Sequence, residues 1–479
     1  MSIYSVFKKI IGENKKFGIL VLIVLSFTPI LLMHRVGFVN DTCWLVNTGK
    51  YIIENGFPNE EPFTIHNGLY YTVQQWLSTV VFYLCYNYFG IVFLNVFVVI
   101  LEFITCSLTY FTSMRLSDKN RFVSTVLTTI VVYIIQIFDS ARPQMFSISL
   151  FAFEIYVLES YMTTDRKKYL ILLPAISLLI INFHAAMWPV FFLLYIPNIL
   201  ERFRGMQLMG GFIVSFIMGF INPYGIENMF YVFKSYGVNK EITTSITEMA
   251  SPQIFSFIGQ AIFAICIIVV VLFAKKQIRE IPLRHYLILS GTLYMALSSV
   301  RSVPLFIICA VPILANAIKD VRVPGIANQR QEILFQIFII GILNIVIFFE
   351  VIVCGLGNNE RDDIKYAGVV SYINQNLNKE NLRMYNEYEA GGFLELSGIK
   401  TFIDSRAEVF QKSLNKKEDI MIDYLEVGRG RVSYMYIAEK YELKYFLISK
   451  GRYLDNYIER DSEFSKIYYD EACSLYELK

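Results

Sequence analysis

From Arg115 onward the chain repeats one pattern: a basic cluster, two apolar segments, then the next basic cluster. The clusters are Arg115/Lys119/Arg121, Arg166/Lys167/Lys168, Arg202/Arg204, Lys275/Lys276/Arg279/Arg284 and Lys319/Arg322/Arg330. Paired apolar segments between positive loops read as membrane-crossing helical hairpins. A bilayer offers backbone polar groups no partner outside a helix, and positive loops stay on the cytoplasmic side. Over the whole chain the apolar segments fall at 17–36, 90–113, 122–139, 144–162, 169–182, 186–200, 208–222, 253–274, 285–299, 302–318 and 332–354. A further segment at 71–88 is ambiguous. As a full span it would put Arg115–Arg121 outside, so parity makes it a juxtamembrane or re-entrant helix. The expected fold class is a polytopic α-helical membrane protein with about 11 to 13 transmembrane helices. The balance of residues agrees: 55% are hydrophobic and only 18% charged, where soluble domains run nearer a quarter charged.

Lys8, Lys9, Lys15 and Lys16 precede the apolar run Phe17–Met33. That run exceeds a usual signal-peptide core and no small-residue cleavage site follows, so it reads as a retained first span with a cytoplasmic N-terminus. An odd number of crossings then carries residues 355–479 to the opposite side. The loops expected there are 37–89, 139–143, 182–185, 223–252 and 299–302. Residues 1–354 form the transmembrane domain, with 37–89 as its first outer loop. Residues 355–479 read as an extracytoplasmic α/β domain. Its expected elements are helices at 363–376, 416–427, 432–440 and 450–457, strands at 382–386, 400–404 and 444–448, and a closing hairpin at 464–478.

Several function classes drop out. The net charge of +2 says nothing about nucleic acid, but no basic patch is interleaved with exposed aromatics, so no nucleic-acid partner is expected. The seven cysteines lie singly, with no CxxC pair. The chain has no P-loop, GxGxxG or HExxH motif.

The polar residues on the short outer loops are more informative. Their neighbouring spans are short, so these residues lie near or within the outer leaflet, where irregular backbone is tolerated only inside protein or along a cavity. Asp41 follows the first span, either as the cap of an interfacial helix over 42–53 or as a carboxylate at a cavity mouth. In the second role it would deprotonate a hydroxyl or amine, or hold a metal. Arg142, in Asp139-Ser-Ala-Arg142-Pro143, either pairs with Asp139 or clamps a phosphate. Asn182 and His184 interrupt an apolar stretch, as helix-bonded groups or as cavity lining. Arg301 is a second isolated cation on that side. Two arginines and a histidine around a carboxylate suit an anionic, lipid-linked phosphate. In the tail, Asp404-Ser405-Arg406 reads as a structural ion pair or a ligand contact.

These motifs resemble a family. Asp41 and Trp44, then Gly49, Ile52, Gly56 and Pro58, then Pro62-Phe63-Thr64 and Trp76-Leu77, are similar to the first outer loop of bacterial polytopic proteins related to the GT-C glycosyltransferases. Arg142-Pro143, Asn182 with His184, Asn222-Pro223 with Gly225, Glu248 and Arg301 fall where that family has similar short motifs. The tail stretches Asn386–Gly392 and Phe402–Arg406 resemble the same proteins. The resemblance implies a GT-C-like fold in a bacterial cell membrane and transfer of a sugar from a polyprenyl-phosphate-linked donor. The acceptor would be an envelope glycan, lipid or protein at the outer face. It implies Asp41 as catalytic base and Arg142, His184, Asn182, Arg301, Glu61, Gln75 and Glu248 as substrate-binding residues. Leu45 stands where the family pattern has His, and Gln75 where it has Glu. The missing carboxylate points to an altered substrate, a different metal dependence or lost catalysis. No cofactor is assigned, and a divalent cation stays open. The rival expectations are a non-catalytic protein that binds lipid-linked glycan in envelope assembly, and a transporter.

Overall fold

The computed structural model describes residues 15–33, 37–38, 41–138, 140–201, 206–235, 249–275, 281–322, 328–354 and 361–479. The helical part comprises α1 (Lys15–Met33), α2 (Asp41–Asn55), α3 (Trp76–Leu116), α4 (Arg121–Ile135), α5 (Pro143–Thr164), α6 (Lys168–Phe183), α7 (Trp188–Glu201), α8 (Met206–Met218), α9 (Phe257–Lys275), α10 (Leu283–Ser298), α11 (Val303–Ala317) and α12 (Gln329–Cys354). Among the described residues, five stretches are long and apolar enough to cross a membrane: Trp76–Leu116, Arg121–Phe138, Pro143–Thr164, Val300–Ala317 and Gln329–Val346. Lys168–Phe183, Ala185–Glu201 and Met206–Met218 are apolar but shorter.

The ambiguous segment at 71–88 turns out to share one long helix with the span expected at 90–113. The 41 residues of α3 would extend roughly 60 Å if straight, about twice the hydrocarbon thickness. Helical geometry breaks inside α3 at Gly90, which adopts φ 73° and ψ −177°. That conformation is open to glycine and costly for other residues. The first half of α3 packs along α2, closely enough that a Cβ on Gly49 would lie 2.0 Å from the Thr79 carbonyl oxygen. A glycine is required at that crossing.

Arg284 departs from the loop pattern that suggested a solvated cationic cluster. It is buried, and its guanidinium makes a two-pronged contact with Glu159, Nε to Oε1 at 3.1 Å and Nη2 to Oε2 at 2.9 Å. Nη1 reaches Glu201 Oε1 at 2.5 Å. The triad ties α10 to α5 and α7, since a buried cation persists only when paired.

The C-terminal part carries a mixed four-stranded sheet with β1 (Met384–Asn386), β2 (Tyr445–Ser449), β3 (Phe464–Tyr469) and β4 (Cys473–Leu478), in the order β1-β2-β4-β3. β1 pairs parallel to β2, and β4 pairs antiparallel to both β2 and β3. Helices α13 (Ala367–Asn376), α14 (Gly391–Leu396), α15 (Ile420–Gly428), α16 (Tyr434–Lys440) and α17 (Tyr453–Glu459) complete it. The strand expected at 400–404 is reduced to a single parallel bridge between Thr401 and Thr64. Ile65 N–H donates to Thr401 O at 2.9 Å, and Thr401 N–H donates to Phe63 O at 3.2 Å. The stretch is therefore a seam to the loop after α2, not a sheet member.

That loop shares its core with the tail. Ile52, Ile65, Leu69, Tyr71 and Val73 pack in one apolar cluster with Tyr385, Phe402, Phe410 and Phe446. His66 seals the seam, with Nε2 2.8 Å from the Phe402 carbonyl oxygen. Burial lowers its pKa from 6.5 to about 4, so the folded imidazole is neutral and donates Nε2–H to that carbonyl. The unfolded chain binds the extra proton between pH 6.5 and 4, so stability falls as pH drops through that window. The loss reaches about 3 kcal/mol at its acid end. Replacing His66 with Gln should flatten this part of a thermal-stability profile measured against pH in detergent; an unchanged acid slope would remove His66 as its source.

Candidate functional site

Asp41 opens α2, and both of its oxygens are engaged. Oδ2 forms an ion pair with Arg142 Nε at 3.0 Å. Oδ1 accepts from Trp44 Nε1 at 3.1 Å and from Ser405 Oγ at 2.6 Å. The Asp41 and Arg142 side chains keep 20% and 15% of their surface exposed, so the pair is reachable from solvent. Asp41 is thus more than a helix cap. It joins the helical bundle, through Arg142, to the tail, through Ser405.

The first turn of α5 organises the surrounding side chains. Arg142 occupies its N-cap with extended backbone, and Pro143 follows at the first helical position, where its missing N–H costs nothing. Gln144 Nε2 donates to the Arg301 carbonyl at 3.1 Å, and Ser147 Oγ lies 2.7 Å from His184 Nδ1. His184 and Arg301 sit in equivalent places. His184 falls between α6 and a 3-10 turn at Ala185–Met187, and Arg301 lies inside a 3-10 turn at Val300–Ser302 between α10 and α11. Each basic residue is the tip of a tight helical hairpin.

The electrostatics place these groups together. The Arg301 charge acts on His184, Tyr388 and Glu408, and the Asp41 charge acts on Tyr388 and Glu408. Burial pushes the Glu408 carboxyl above its ordinary range, and Asp41 adds to the effect. Burial likewise drives the Tyr388 phenol well up, with Asp41 reinforcing it. The Tyr388 hydroxyl donates to the Ser405 carbonyl at 2.6 Å, which fixes the turn that presents Ser405 to Asp41.

Of the residues picked from sequence, Asp41, Arg142, His184 and Arg301 share this neighbourhood. Asn182 has protein partners for both ends of its amide: Oδ1 accepts from Trp76 Nε1 at 2.8 Å, and Nδ2 donates to the carbonyls of Leu178 and Ile221 at 2.8 and 2.9 Å. Glu61 is buried in the tail seam. Gln75 precedes α3, with its Oε1 buried and lacking a hydrogen-bond partner among the described residues. Glu248 lies outside the described residues. Sequence reasoning missed Tyr388 and Glu408, and it read Asp404-Ser405-Arg406 for its charges only. The hydroxyl between those charges is the group that touches Asp41.

Arg406 anchors the site from behind. It is 1% exposed. Its Nη2 lies 2.8 Å from Glu61 Oε1 and 3.2 Å from Glu395 Oε1, and it also contacts Asp404 Oδ2. Nε donates to Asp404 Oδ1 at 2.9 Å. The guanidinium lies 5.5 Å from the Trp44 ring, 5.5 Å from Phe63 and 5.1 Å from Tyr71, within cation–π range. Burial, and then the Asp404 charge, push Glu395 well above the usual carboxylate range. Asp404 stays below its ordinary value, because Arg406 outweighs the burial penalty. The Arg406 charge thus favours the ionised Asp404 carboxylate, while burial favours the neutral form of Glu395.

Among the described residues no three His, Cys, Asp or Glu side chains gather as a metal-ligand set.

No family model matches the chain, and no curated protein matches it. Among solved structures its fold is similar to that of ArnT from Cupriavidus metallidurans in the apo state. The TM-score is 0.59 at 12% identity, covering 96% of this chain and 97% of that one. It is also similar to the oligosaccharyltransferase of Archaeoglobus fulgidus, solved in complex with Zn and sulfate. There the TM-score is 0.54 at 11% identity, with 90% of this chain and 68% of that one covered. The chain therefore shares the polytopic α-helical fold of these two structures and carries a C-terminal mixed β-sheet domain.

Arg406→Ala should cost about 3–5 kcal/mol, because it strands buried carboxylates and empties the aromatic cage. Limited proteolysis should then cut the loop after α2 at protease levels that spare the parent; equal resistance would show that the apolar seam alone holds it.

Proposed function

We propose that the protein is a membrane glycosyltransferase that moves a sugar from a lipid-phosphate-linked donor to a cell-envelope acceptor at the outer face. The observation that carries this reading is the Ser405 hydroxyl resting 2.6 Å from Asp41 Oδ1. A carboxylate that accepts a hydrogen bond from an alcohol at this distance is positioned to take its proton. Ser405 Oγ thus marks where an acceptor hydroxyl would lie.

In this reading the acceptor displaces Ser405 and donates its proton to Asp41 as its oxygen attacks the anomeric carbon of the donor sugar. The bond from that carbon to the lipid phosphate breaks, and the phosphate leaves with its electron pair. Arg142 and Arg301 offset the charge that develops on the departing phosphate, an electrostatic contribution that grows toward the transition state. His184, steered by Ser147, orients the phosphate or the sugar. Asn182, Glu61 and Gln75 bear on substrate through the backbone and loop they brace, and Glu248 completes the substrate contacts from the loop 223–252. Residues 1–354 form the membrane domain with about 11 to 13 spans, its N-terminus cytoplasmic. Residues 355–479 sit outside and cover the acceptor. The sheet, the hairpin-tip placement of the basic residues and the GT-C-like fold support this arrangement.

The test follows release of free lipid phosphate from labelled undecaprenyl-phosphate sugars by the purified protein. Asp41→Asn should lower turnover about 10²–10⁴-fold, the range for loss of a positioned base, while Ser405→Ala keeps activity. Full activity in Asp41→Asn would sink the base assignment. An inactive parent that still retains the labelled lipid would support the non-catalytic alternative.

A further inference from the structure

At the other end of the bundle from Asp41, a groove of about 550 Å³ opens between α1, α3, α4 and α12. Its position follows from α4. Arg121 begins that helix, whereas the turn carrying Arg142 follows its far end, roughly 25 Å away at helical rise. The groove walls are apolar, with Leu22, Phe27, Phe103 and Ile333 among them. One face of α4 presents Thr125, Thr128, Thr129 and Val132 to it at one-face helical spacing. The Thr128 hydroxyl there is buried without a hydrogen-bond partner among the described residues.

The groove continues into a second space of about 580 Å³ lined by Lys119, Arg121 and Arg322, with Asp118 and Glu332. Met114, Arg121, Gln329 and Glu332 line both spaces, so they form one channel with an apolar shaft and a charged mouth. The Asp118 charge is already matched by Lys319 at 2.7 Å. Three cations therefore face one further carboxylate.

We infer that this channel binds one anionic membrane phospholipid, with an acyl chain in the shaft and the phosphate headgroup among Lys119, Arg121 and Arg322. Three features support that occupant. The shaft volume lies in the range of about 300–1,000 Å³ that holds small-molecule ligands. The mouth carries excess positive charge in the basic loops that the charge pattern assigns to the cytoplasmic side, and each juxtamembrane cation favours an anionic lipid by about fivefold. The shaft walls also leave exposed apolar side chains, such as Ile19 and Ile23 on α1 and Phe103 and Phe111 on α3, that a chain would cover. This site is separate from the chemistry proposed around Asp41 and stands whether or not that chemistry is right.

The full-length protein, purified in detergent, can be titrated with dioleoylphosphatidylglycerol and dioleoylphosphatidylcholine and read by native mass spectrometry. One phosphatidylglycerol should be retained at least about fivefold more tightly than phosphatidylcholine. Lys119→Gln/Arg121→Gln/Arg322→Gln should erase that preference while the protein stays monodisperse. Thr128→Trp, which fills the shaft, should remove the tightly held lipid of either class. Equal retention of the two lipids by the parent, or unchanged preference in the charge variant, would mean bulk lipid adsorption only and overturn the site. Should Thr128→Trp fail to fold, the charge variant alone decides.

Discussion

A guanidinium removed from water has to be paired or it costs several kcal/mol, and much of this molecule is arranged around that demand at Arg406. Its partners come from three places: Glu61 on the loop after α2, Asp404 two residues upstream, and Glu395 on α14. Meeting them forces the loop and the tail domain into contact. The aromatic rings that face the cation add Trp44, one turn into α2, and Trp44 in turn holds Asp41. The position of the Asp41 carboxylate is thus set from behind by a charge that never meets solvent. Asp41 then passes the constraint to Arg142 and the head of α5. Three acids around one cation would be over-charged if all were ionised. The upward push on the Glu395 carboxyl relieves this.

The helical bundle contributes its basic residues by a different device. α6 has 16 residues, against about 20 for a full crossing, and α11 reaches 18 only together with the 3-10 turn that carries Arg301. A helix short of a full crossing brings its connecting turn below the level that a full-length span would reach. Each of these turns is tightened into 3-10 geometry, and each presents one basic side chain, His184 or Arg301. Arg142 follows another 3-10 turn, Gln136–Phe138, at the head of α5. A tight turn at that depth has few free backbone groups to satisfy. Gln74 takes up one of them by accepting from Ala186 N–H at 2.8 Å. Irregular backbone in this position is supported by protein, as a membrane requires.

How much of this was legible in the sequence follows from the range of the forces involved. Hydropathy is a local signal, so an apolar multi-helix bundle and the mixed α/β character of the tail could be read directly. The hairpin-tip residues were also readable, because a charge or imidazole between two apolar runs has few alternatives. Long-range pairing was not readable. The 400–404 stretch has strand character but bridges to Thr64, more than three hundred residues earlier, and only the fold supplies that partner. Arg284 looked like a loop cation because Glu159 and Glu201 lie on other helices. Asn182 was left open between a helix-bonded group and cavity lining, because nothing local shows that Trp76 and Ile221 converge on its amide. The break at Gly90 was hidden for a different reason: a lone glycine in an apolar run has no signature that separates a kink from an ordinary helical position.

The contact between Ser405 and Asp41 also constrains how a substrate could arrive. Ser405 sits on the tail, and the tail shares one apolar core with the loop after α2. Prising the two apart would expose Tyr71, Phe402 and Phe410 and break the Arg406 cluster, a cost of many kcal/mol. A hinge between tail and loop is therefore ruled out on energetic grounds, and any opening has to move them together against the bundle or to shift the Ser405 turn by itself. Within the second course, rotation of the Ser405 side chain is the cheapest move, because it gives up the Oγ hydrogen bond to Asp41 and leaves the flanking Asp404 and Arg406 in their buried cluster. A small polar cavity lined by Tyr70, Tyr71, Tyr231 and Glu408 already reaches the neighbourhood of that turn. Glu408 belongs to both the cavity wall and the field of Asp41.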